Sequence, residues 1–456
     1  MKQPFPVATV LLLLLAAGAP AGAQQQISLQ EAVAVALANN PTLQAAEQQR
    51  TIAEAQVRMA RAAGYPRLDV SQGFMRGNNP VYVFGTLLTQ RQFTAANFAL
   101  PGLNAPRPLD NLQTRMDGQW RLFDSFQSKY RVQATQRMKT AADFQTEQER
   151  QDLILRVVRA YYGVVVAREN LRAATEALHA AQANEKRVRD RVEAGLVVQS
   201  DLLSAQVFRA QMEERHIRAE NQLQLARMTL ANEMGLALDD RLEPSGSLHE
   251  LAPLEDNVED WERGALAERP ALRAAELQYQ AAASYFRVAR AEFGPKIHLT
   301  ASFERDAEPL GEASGTNWMA AVRLDFNLFA GGADRARLAE AQARQRQAER
   351  QLEAFRSGVR LEIRQAYLEV KAAEKRAAAA SGAVEQARES LRIVQNRYEA
   401  GLTDITELLR AQTAHLDAQT ARLAALHDWH VARAALERAV GRLTAESSLV
   451  RQTEVP

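Results

Sequence analysis

Two segments of this chain recur later in the same order, and this duplication limits the possible folds more than any other feature. Shifting the sequence by 229 positions aligns residues 36–47 with residues 265–276 as Ala-Leu-Ala-x-x-Pro-x-Leu-x-Ala-Ala-Glu. Shifting it by 206 positions aligns Arg191–Leu196 with Arg397–Leu402 as Arg-x-Glu-Ala-Gly-Leu. A period of about 200 residues is too long for a solenoid. The pattern predicts one unit duplicated and fused, at about 27–238 and 258–442, with a linker at 239–257.

Proline placement permits very long helices in both copies. The sequence has no proline between Pro108 and Pro244, and none between Pro309 and Pro456. Proline inside a helix costs about 3 kcal/mol, and small or apolar residues recur every three or four positions in both windows, as in a heptad seam. A helix from about Gln127 to Ala194 would be roughly 100 Å long. Such a rod must pack along other rods, and a returning helix of about 35 residues is predicted after each glycine turn.

Four segments alternate between apolar and polar residues, which is typical of strands exposed to different surroundings on their two faces. The clearest begins at Trp318, where apolar side chains alternate with Arg323 and Asp325. The predicted strands are about 66–76, 115–124, 295–305 and 317–329. An ordinary half-buried sheet alternates in the same way, so this pattern alone does not prove contact with lipid.

The N-terminus has the features of an export signal. Lys2 precedes an apolar run from Val7 to Ala17, and Ala21-Gly22-Ala23 fits a cleavage site. We therefore predict a signal peptide at 1–23 and a mature protein at 24–456. A membrane-anchor helix is the alternative, but it would need about 20 apolar residues. With no later stretch apolar enough to span a bilayer as a helix, entry into a membrane would require strands.

The predicted sheet is too small to close on itself. Four strands leave unpaired N–H and C=O groups at two edges, and each unpaired group costs several kcal/mol in lipid. Several copies of the chain must therefore share one barrel; three copies would supply twelve strands and four would supply sixteen. The predicted fold class is mainly α, with a long α-helical barrel and a transmembrane β-barrel sector of four strands in each protomer.

Composition and motifs exclude several functions. The 56 basic and 55 acidic residues leave a net charge of +1, whereas nucleic-acid binding usually needs a basic face. There is no cysteine, and no phosphate-binding loop, nucleophile elbow or His-Glu-x-x-His motif. We predict no enzyme activity, no cofactor and no metal site. His427 and His430 are a candidate metal pair, but their helical spacing favours packing.

The two glycine turns and the residues that follow them resemble the TolC family of outer-membrane efflux proteins. After the turns come Ser200-Asp201-Leu202-Leu203 and Thr406-Glu407-Leu408-Leu409, and the stretch Val81–Phe98 is also similar to this family. The resemblance implies a homotrimer with a twelve-stranded barrel in outer-membrane lipid and a helical tunnel across the periplasm. It also implies a periplasmic adaptor protein and an inner-membrane transporter as partners, in drug or metal efflux or in type I secretion. The first copy's 23 extra residues (229 − 206) would lie outside the cell.

The helix tips are the predicted functional site. We expect the adaptor to dock at the two turns, on Gly195, Leu196, Val197, Gly401, Leu402 and Thr403. The resemblance matches Tyr398 and Asp201 to a tyrosine and an aspartate of the family's gate. The gate candidates are Asp201, Tyr398, Asp404, Glu407 and Arg410. The family's gate arginine and aspartate ring are replaced here by Thr403 and Arg410. The entrance is therefore expected to favour anions.

Two other functions remain open from the sequence. A periplasmic coiled-coil adaptor or scaffold would also contain helical hairpins, although it would lack four alternating strands. An exported enzyme would need a catalytic site, and the sequence offers none.

Overall fold

The structure is a computed structural model that describes residues 25–240, 242–254 and 257–451. The predicted signal peptide at 1–23 lies outside the described residues. Within them, no helix is both long enough and apolar enough to cross a membrane.

Long helices dominate the molecule, and four strands form its main sheet. In chain order, the elements are β1 (Gln25–Ile27), α1 (Leu29–Asn39), α2 (Pro41–Ala62), β2 (Arg67–Gly77), α3 (Pro80–Thr89), a 3-10 turn (Ala95–Phe98), α4 (Leu100–Asn104), β3 (Leu109–Phe123), α5 (Gln127–Glu193), α6 (Gln199–Met234), β4 (Leu242–Pro244), α7 (Val258–Glu268), α8 (Pro270–Ala291), β5 (Lys296–Ala307), β6 (Ser314–Asp325), α9 (Ala333–Glu399), α10 (Ile405–Val440) and α11 (Ser448–Arg451).

The two halves of the chain match in helix length. The rods α5 and α9 have 67 residues each, and the returning helices α6 and α10 have 36 each. At 1.5 Å per residue each rod is about 100 Å long, which confirms the predicted long helices. The rods pack along α6 and α10 through small residues such as Ala181 and Ala377, both buried. Small side chains at these positions let the helix axes approach closely.

A belt of short elements fixes the upper ends of the returning helices. Gly235 ends α6 in the left-handed region at φ 70°, and a Cβ there would lie 2.6 Å from the carbonyl oxygen of Asn39. Gly441 ends α10 at φ 92°, and a Cβ there would lie 2.8 Å from the Cα of Arg269. In both halves, therefore, the backbone just before the helix that begins with proline lies directly against the glycine that ends the returning helix.

The segment between the two halves is more ordered than the sequence predicted. We predicted a linker or an irregular belt at about 239–257, and within this segment β4 pairs in parallel with β1 from the start of the described chain. Tyr161 on α5 stabilises this pair because its hydroxyl donates to the carbonyl of Ile27 at 3.2 Å and accepts from the N–H of Gly246 at 2.9 Å. Two strands of three residues carry too little pattern to be found from sequence alone.

The main sheet has the strand order β2-β3-β5-β6, with every neighbouring pair antiparallel. One predicted strand end is wrong: β6 stops at Asp325, and residues 326–329 are outside the strand. Asp325 pairs with Lys296, and the residue before Lys296 is Pro295, which has no N–H to donate. Strand β3, by contrast, is longer than predicted. It begins at Leu109 rather than at 115, because β2 pairs with it as far as Gly77.

The two faces of this sheet differ in polarity. One face carries the exposed apolar side chains Leu68, Val70, Phe74, Met116, Trp120, Phe303, Trp318, Val322 and Leu324. The opposite face carries polar residues, for example Asp117 with its cross-strand neighbour Ser302. The mainly helical fold with a four-stranded, two-faced sheet confirms the predicted class.

The sheet joins the rods through two consecutive left-handed residues. In the second half these are Gly331 and Gly332, and in the first half they are Ser125 and Phe126, with φ of 54° and 69°. Left-handed φ in a non-glycine residue costs about 1–3 kcal/mol. Ser125 gains a partial compensation, because its hydroxyl donates to the carbonyl of Pro295 at 2.8 Å.

Candidate functional site

The two helix turns have the same geometry. Gly195 follows α5 with φ 72°, and the N–H of Leu196 donates to the carbonyl of Arg191 at 2.8 Å. Gly401 follows α9 with φ 70°, and Leu402 makes the same hydrogen bond, also 2.8 Å long, to the residue five positions before it. This is the Schellman arrangement, which favours glycine because its φ is positive.

The side chains at the turns are open to solvent. Leu196 and Leu402 are 70% and 69% exposed. A Cβ on either turn glycine would meet no atom within 4 Å. Val197 and Thr403 are half-buried beside them. Each turn therefore presents one leucine that makes little contact with its own protomer.

A small apolar cluster holds the two turns side by side. Its buried members are Val188, Leu202, Ala205 and Ile405, with Val192, Val197, Tyr398 and Leu409 packed against them. These side chains come from α5, α6, α9 and α10 and from the first turn. The cluster thus brings the predicted residues Val197 and Tyr398 together, although they are 201 positions apart (398 − 197) in the sequence.

Tyr398 has a cationic partner that the sequence analysis did not select as a site residue. The guanidinium of Arg191 lies over the Tyr398 ring, 5.6 Å from its centroid. Arg187 and Glu399 form a second link between α5 and α9 at 3.8 Å, with both side chains about half exposed. Arg191 is the first residue of the repeated turn motif, and its place in that motif is the sequence signal that could have identified it as a site residue. Exposed pairs of this kind contribute about 0.5–1 kcal/mol.

The other gate candidates do not form one network. The Asp404 side chain caps α10 by accepting from the N–H of Glu407 at 3.0 Å. Arg410 lies 3.8 Å from Glu407 and its side chain is 76% exposed, so this ion pair is weak. In the part of the chain that the structure describes, no ion pair reaches Asp201, which lies in the first turn of α6.

Arg410 also lines a groove between α6 and α10. This groove has a volume of about 630 Å³, and its apolar floor includes Val207 and Phe208. Asp417 lies at its upper end and binds Arg215 on α6 at 2.7 Å. The groove therefore combines an apolar floor with an exposed cation at its tip end.

Just above the tips, α5 carries two buried polar residues that the sequence analysis missed. Glu185 is held by Arg189 at 2.5 Å and by Arg209 on α6 at 2.9 Å. Asn184 is 1% exposed, and neither its amide nitrogen nor its oxygen has a hydrogen-bond partner among the described residues. An unsatisfied buried amide destabilises the packed state, so the packing of α5 against α6 is less stable around Asn184.

The two histidines of the candidate metal pair have different neighbours. His430 is buried, packs against the ring of Tyr162 at 4.4 Å, and its Nε2 lies 2.9 Å from the carbonyl oxygen of His249. Burial lowers the pKa of His430 to about 4, because the charged form loses its water. His427 lies instead beside Asp428. No group of three or more His, Cys, Asp or Glu residues within the described ranges could hold a metal ion.

Comparison with known proteins assigns this architecture to a family. The chain is 28% identical to Protein CyaE of Bordetella pertussis over 408 residues, covering 88% of this chain and 81% of that one. It is 25% identical to Outer membrane efflux protein BepC of Brucella suis, covering 71% of each chain. The crystal structure of the Campylobacter jejuni CmeC outer membrane channel shares the fold, with a TM-score of 0.79 over 95% of this chain and 93% of that one at 18% identity.

The family model for outer membrane efflux proteins matches residues 32–236 and 262–442, which include both halves and both tips. The matched regions leave out the whole linker at 239–257 and cover most of the described chain. On this evidence, the chain belongs to the outer membrane efflux protein family.

Proposed function

We propose that this outer-membrane exit channel works as a homotrimer within a tripartite export system. The location in the outer membrane, with the helices in the periplasm, follows from the family, and one observation supports assembly of several copies. The sheet leaves β2 and β6 as open edges, while its apolar face is exposed.

The open edges require neighbouring copies. In lipid, each unpaired backbone group costs several kcal/mol, so the twelve-residue β6 must pair with β2 of the next protomer. Three copies would give twelve strands, within the size range of known outer-membrane barrels. The choice of three rather than four copies rests on the resemblance to the family. The scaffold alternative is not retained, because a periplasmic scaffold would have no use for an exposed apolar sheet face.

The helices support the same assembly. Exposed apolar side chains remain on α6, where Leu203, Val207 and Leu225 are more than half exposed, and on α9, where Leu361 and Leu368 are also exposed. Packing α6 of one copy against α9 of the next would bury both sets. Three copies would then enclose a tunnel of twelve long helices.

The adaptor would dock at the tips, where Leu196 and Leu402 are exposed. The chain itself lacks a phosphate-binding loop, so an inner-membrane transporter would supply the energy. We assign no catalytic activity and no cofactor to the chain. The exported solute passes through the tunnel without being chemically changed.

The test combines assembly and conduction. The detergent-solubilised protein should give a three-step ladder after amine crosslinking and should open ion-conducting channels in planar bilayers. A stable, non-conducting monomer would contradict the proposal.

Adaptor docking can be tested separately with a single introduced cysteine, because the native chain has none. Crosslinking from Leu196→Cys in intact cells should capture a periplasmic protein with a helical hairpin. The matched control is Leu310→Cys, which is fully exposed in the β5–β6 hairpin at the opposite end. Equal capture from both positions would argue against docking at the tips.

A further inference from the structure

The insertion between β2 and β3, residues 78–108, lies over the polar face of the sheet. The face is identified by register: Gln113 pairs with Asp306, and Asp306 pairs with Gly315. Cross-strand partners point to the same side of a sheet, and this side is the one opposite to Met116 and Trp318. The insertion contacts these polar-face residues, at the end of the sheet away from the rods.

A buried network of amide side chains fixes the insertion to that face. Gln90, which follows α3, donates from Nε2 to Oδ1 of Asn111 at 3.0 Å. Asn111 donates in turn to Oδ1 of Asp306 at 2.6 Å, and Gln113 donates to the same oxygen at 3.1 Å. Gln90, Asn111 and Asp306 are each no more than 2% exposed. Hydrogen bonds therefore replace the water at Oδ1 of Asp306, whereas its buried Oδ2 has no hydrogen-bond partner among the described residues.

The backbone of the insertion also lies close to β6. A Cβ on Gly315 would be 1.9 Å from the carbonyl oxygen of Thr89. Arg91 donates from Nη2 to the carbonyl of Thr316 at 3.2 Å. The C-terminal end of α3 therefore lies across the sheet from β3 to β6.

The side of α3 that faces away from the sheet is apolar. Val83 and Thr86 are buried against the protein, whereas Val81 and Leu88 on the opposite side are 81% and 50% exposed. Phe84 lies on that side too, 36% exposed, and packs edge-on against Phe93 of the same insertion. Residues 78–108 contain two arginines and no acidic residue. An apolar surface on the polar side of the sheet cannot face lipid, so it requires another apolar partner.

We propose that the exposed faces of α3 from three copies pack together as a plug that reversibly closes the outer mouth of the channel. This inference rests on the trimer of the proposed function. Twelve strands about 4.8 Å apart, tilted by about 40°, give a barrel about 24 Å across between backbones. A helix with its side chains is about 10–12 Å wide. Three such helices, one on the inner face of each sector, meet at the axis, and the partner of each is a second copy of this chain.

Single cysteines in the otherwise cysteine-free chain test this contact. In purified trimers, Val81→Cys should crosslink on mild oxidation, with up to two thirds of the chains linked, because three cysteines form one pair. The same trimers should lose conductance on oxidation and recover it with reductant. In the control Leu310→Cys, the cysteines of neighbouring copies would lie about 20 Å apart at the rim of the barrel by the same geometry. These cysteines should react with maleimide but should not form disulfides with one another.

A second variant tests the plug without a cysteine. The double change Gln90→Ala with Asn111→Ala removes the network that holds α3, and single-channel conductance should rise several-fold while the trimer persists. Val81→Cys that labels freely but does not link, in trimers that conduct, would overturn the plug and leave the channel proposal intact. Absence of trimers and of conductance in the unmodified chain would overturn both proposals.

Discussion

Replacing Gly441 with alanine should destabilise the protein far more than the same change at Gly401. Both glycines end a long helix with positive φ, 92° and 70°. An alanine in this conformation costs about 1–2 kcal/mol at either position. Gly441 carries a second cost, because the new Cβ would lie 2.8 Å from the Cα of Arg269 and 2.8 Å from the Cδ of Pro270.

The second cost can be estimated from the surroundings. Forcing an extra methyl group against packed backbone typically costs about 1–3 kcal/mol. At Gly401 a Cβ would meet nothing within 4 Å, so only the conformational cost applies there. We expect the two variants to differ by about 1–3 kcal/mol per protomer. Gly235→Ala and Gly195→Ala form the equivalent pair in the first half, since a Cβ on Gly235 would lie 2.6 Å from the oxygen of Asn39.

Thermal unfolding of the detergent-solubilised protein, followed by the loss of helical circular dichroism, would measure this difference. The midpoints should fall in the order wild type, Gly401→Ala, Gly441→Ala. Equal midpoints for the two variants would refute the reasoning, because they would show that the close approach at the belt carries no energetic cost.

Three further changes have defined outcomes. Asn184→Leu removes an unsatisfied buried amide, so it should raise the free energy of unfolding by about 1–3 kcal/mol and lower the open probability in planar bilayers; a less stable variant would contradict this interpretation. Arg410→Glu should move the reversal potential in a KCl gradient toward cation selectivity, and an unchanged potential would exclude Arg410 from the conduction path. Because His430 has a pKa of about 4 when folded and about 6.5 when unfolded, the unfolded chain binds more protons between these values. Stability should therefore fall by about 3 kcal/mol as the pH drops from 6.5 to 4, and His430→Phe should lack this part of the pH dependence.

The long helices were predictable because their signal is local and repeated. The windows without proline and the three-four spacing gave a helix from Gln127 to Ala194, and α5 ends at Glu193. The end of β6 was not predictable in this way. Alternation continues through Phe326 and Leu328, but a strand also needs a partner, and the residue opposite this extension is Pro295.

The candidate site likewise combines features that the sequence predicts with features that it does not. The glycines at 195 and 401 follow from sequence, since a left-handed helix end selects for them. The contact of Arg191 with Tyr398 does not, because it depends on how closely two helices approach that are about 200 residues apart in the chain. The position of Gln90 was also out of reach, since nothing near it in sequence shows which face of the sheet the insertion covers.

Because the long helices have equal lengths in the two halves, the two helical hairpins also have equal lengths. Removing one heptad from α5 and the matching heptad from α6 would shorten the first hairpin by about 10 Å and leave the second unchanged. The two turns would then end at different heights, and an adaptor could touch only one of them. A change in the reach of this protein across the envelope therefore requires four matched deletions or insertions, one in each of α5, α6, α9 and α10.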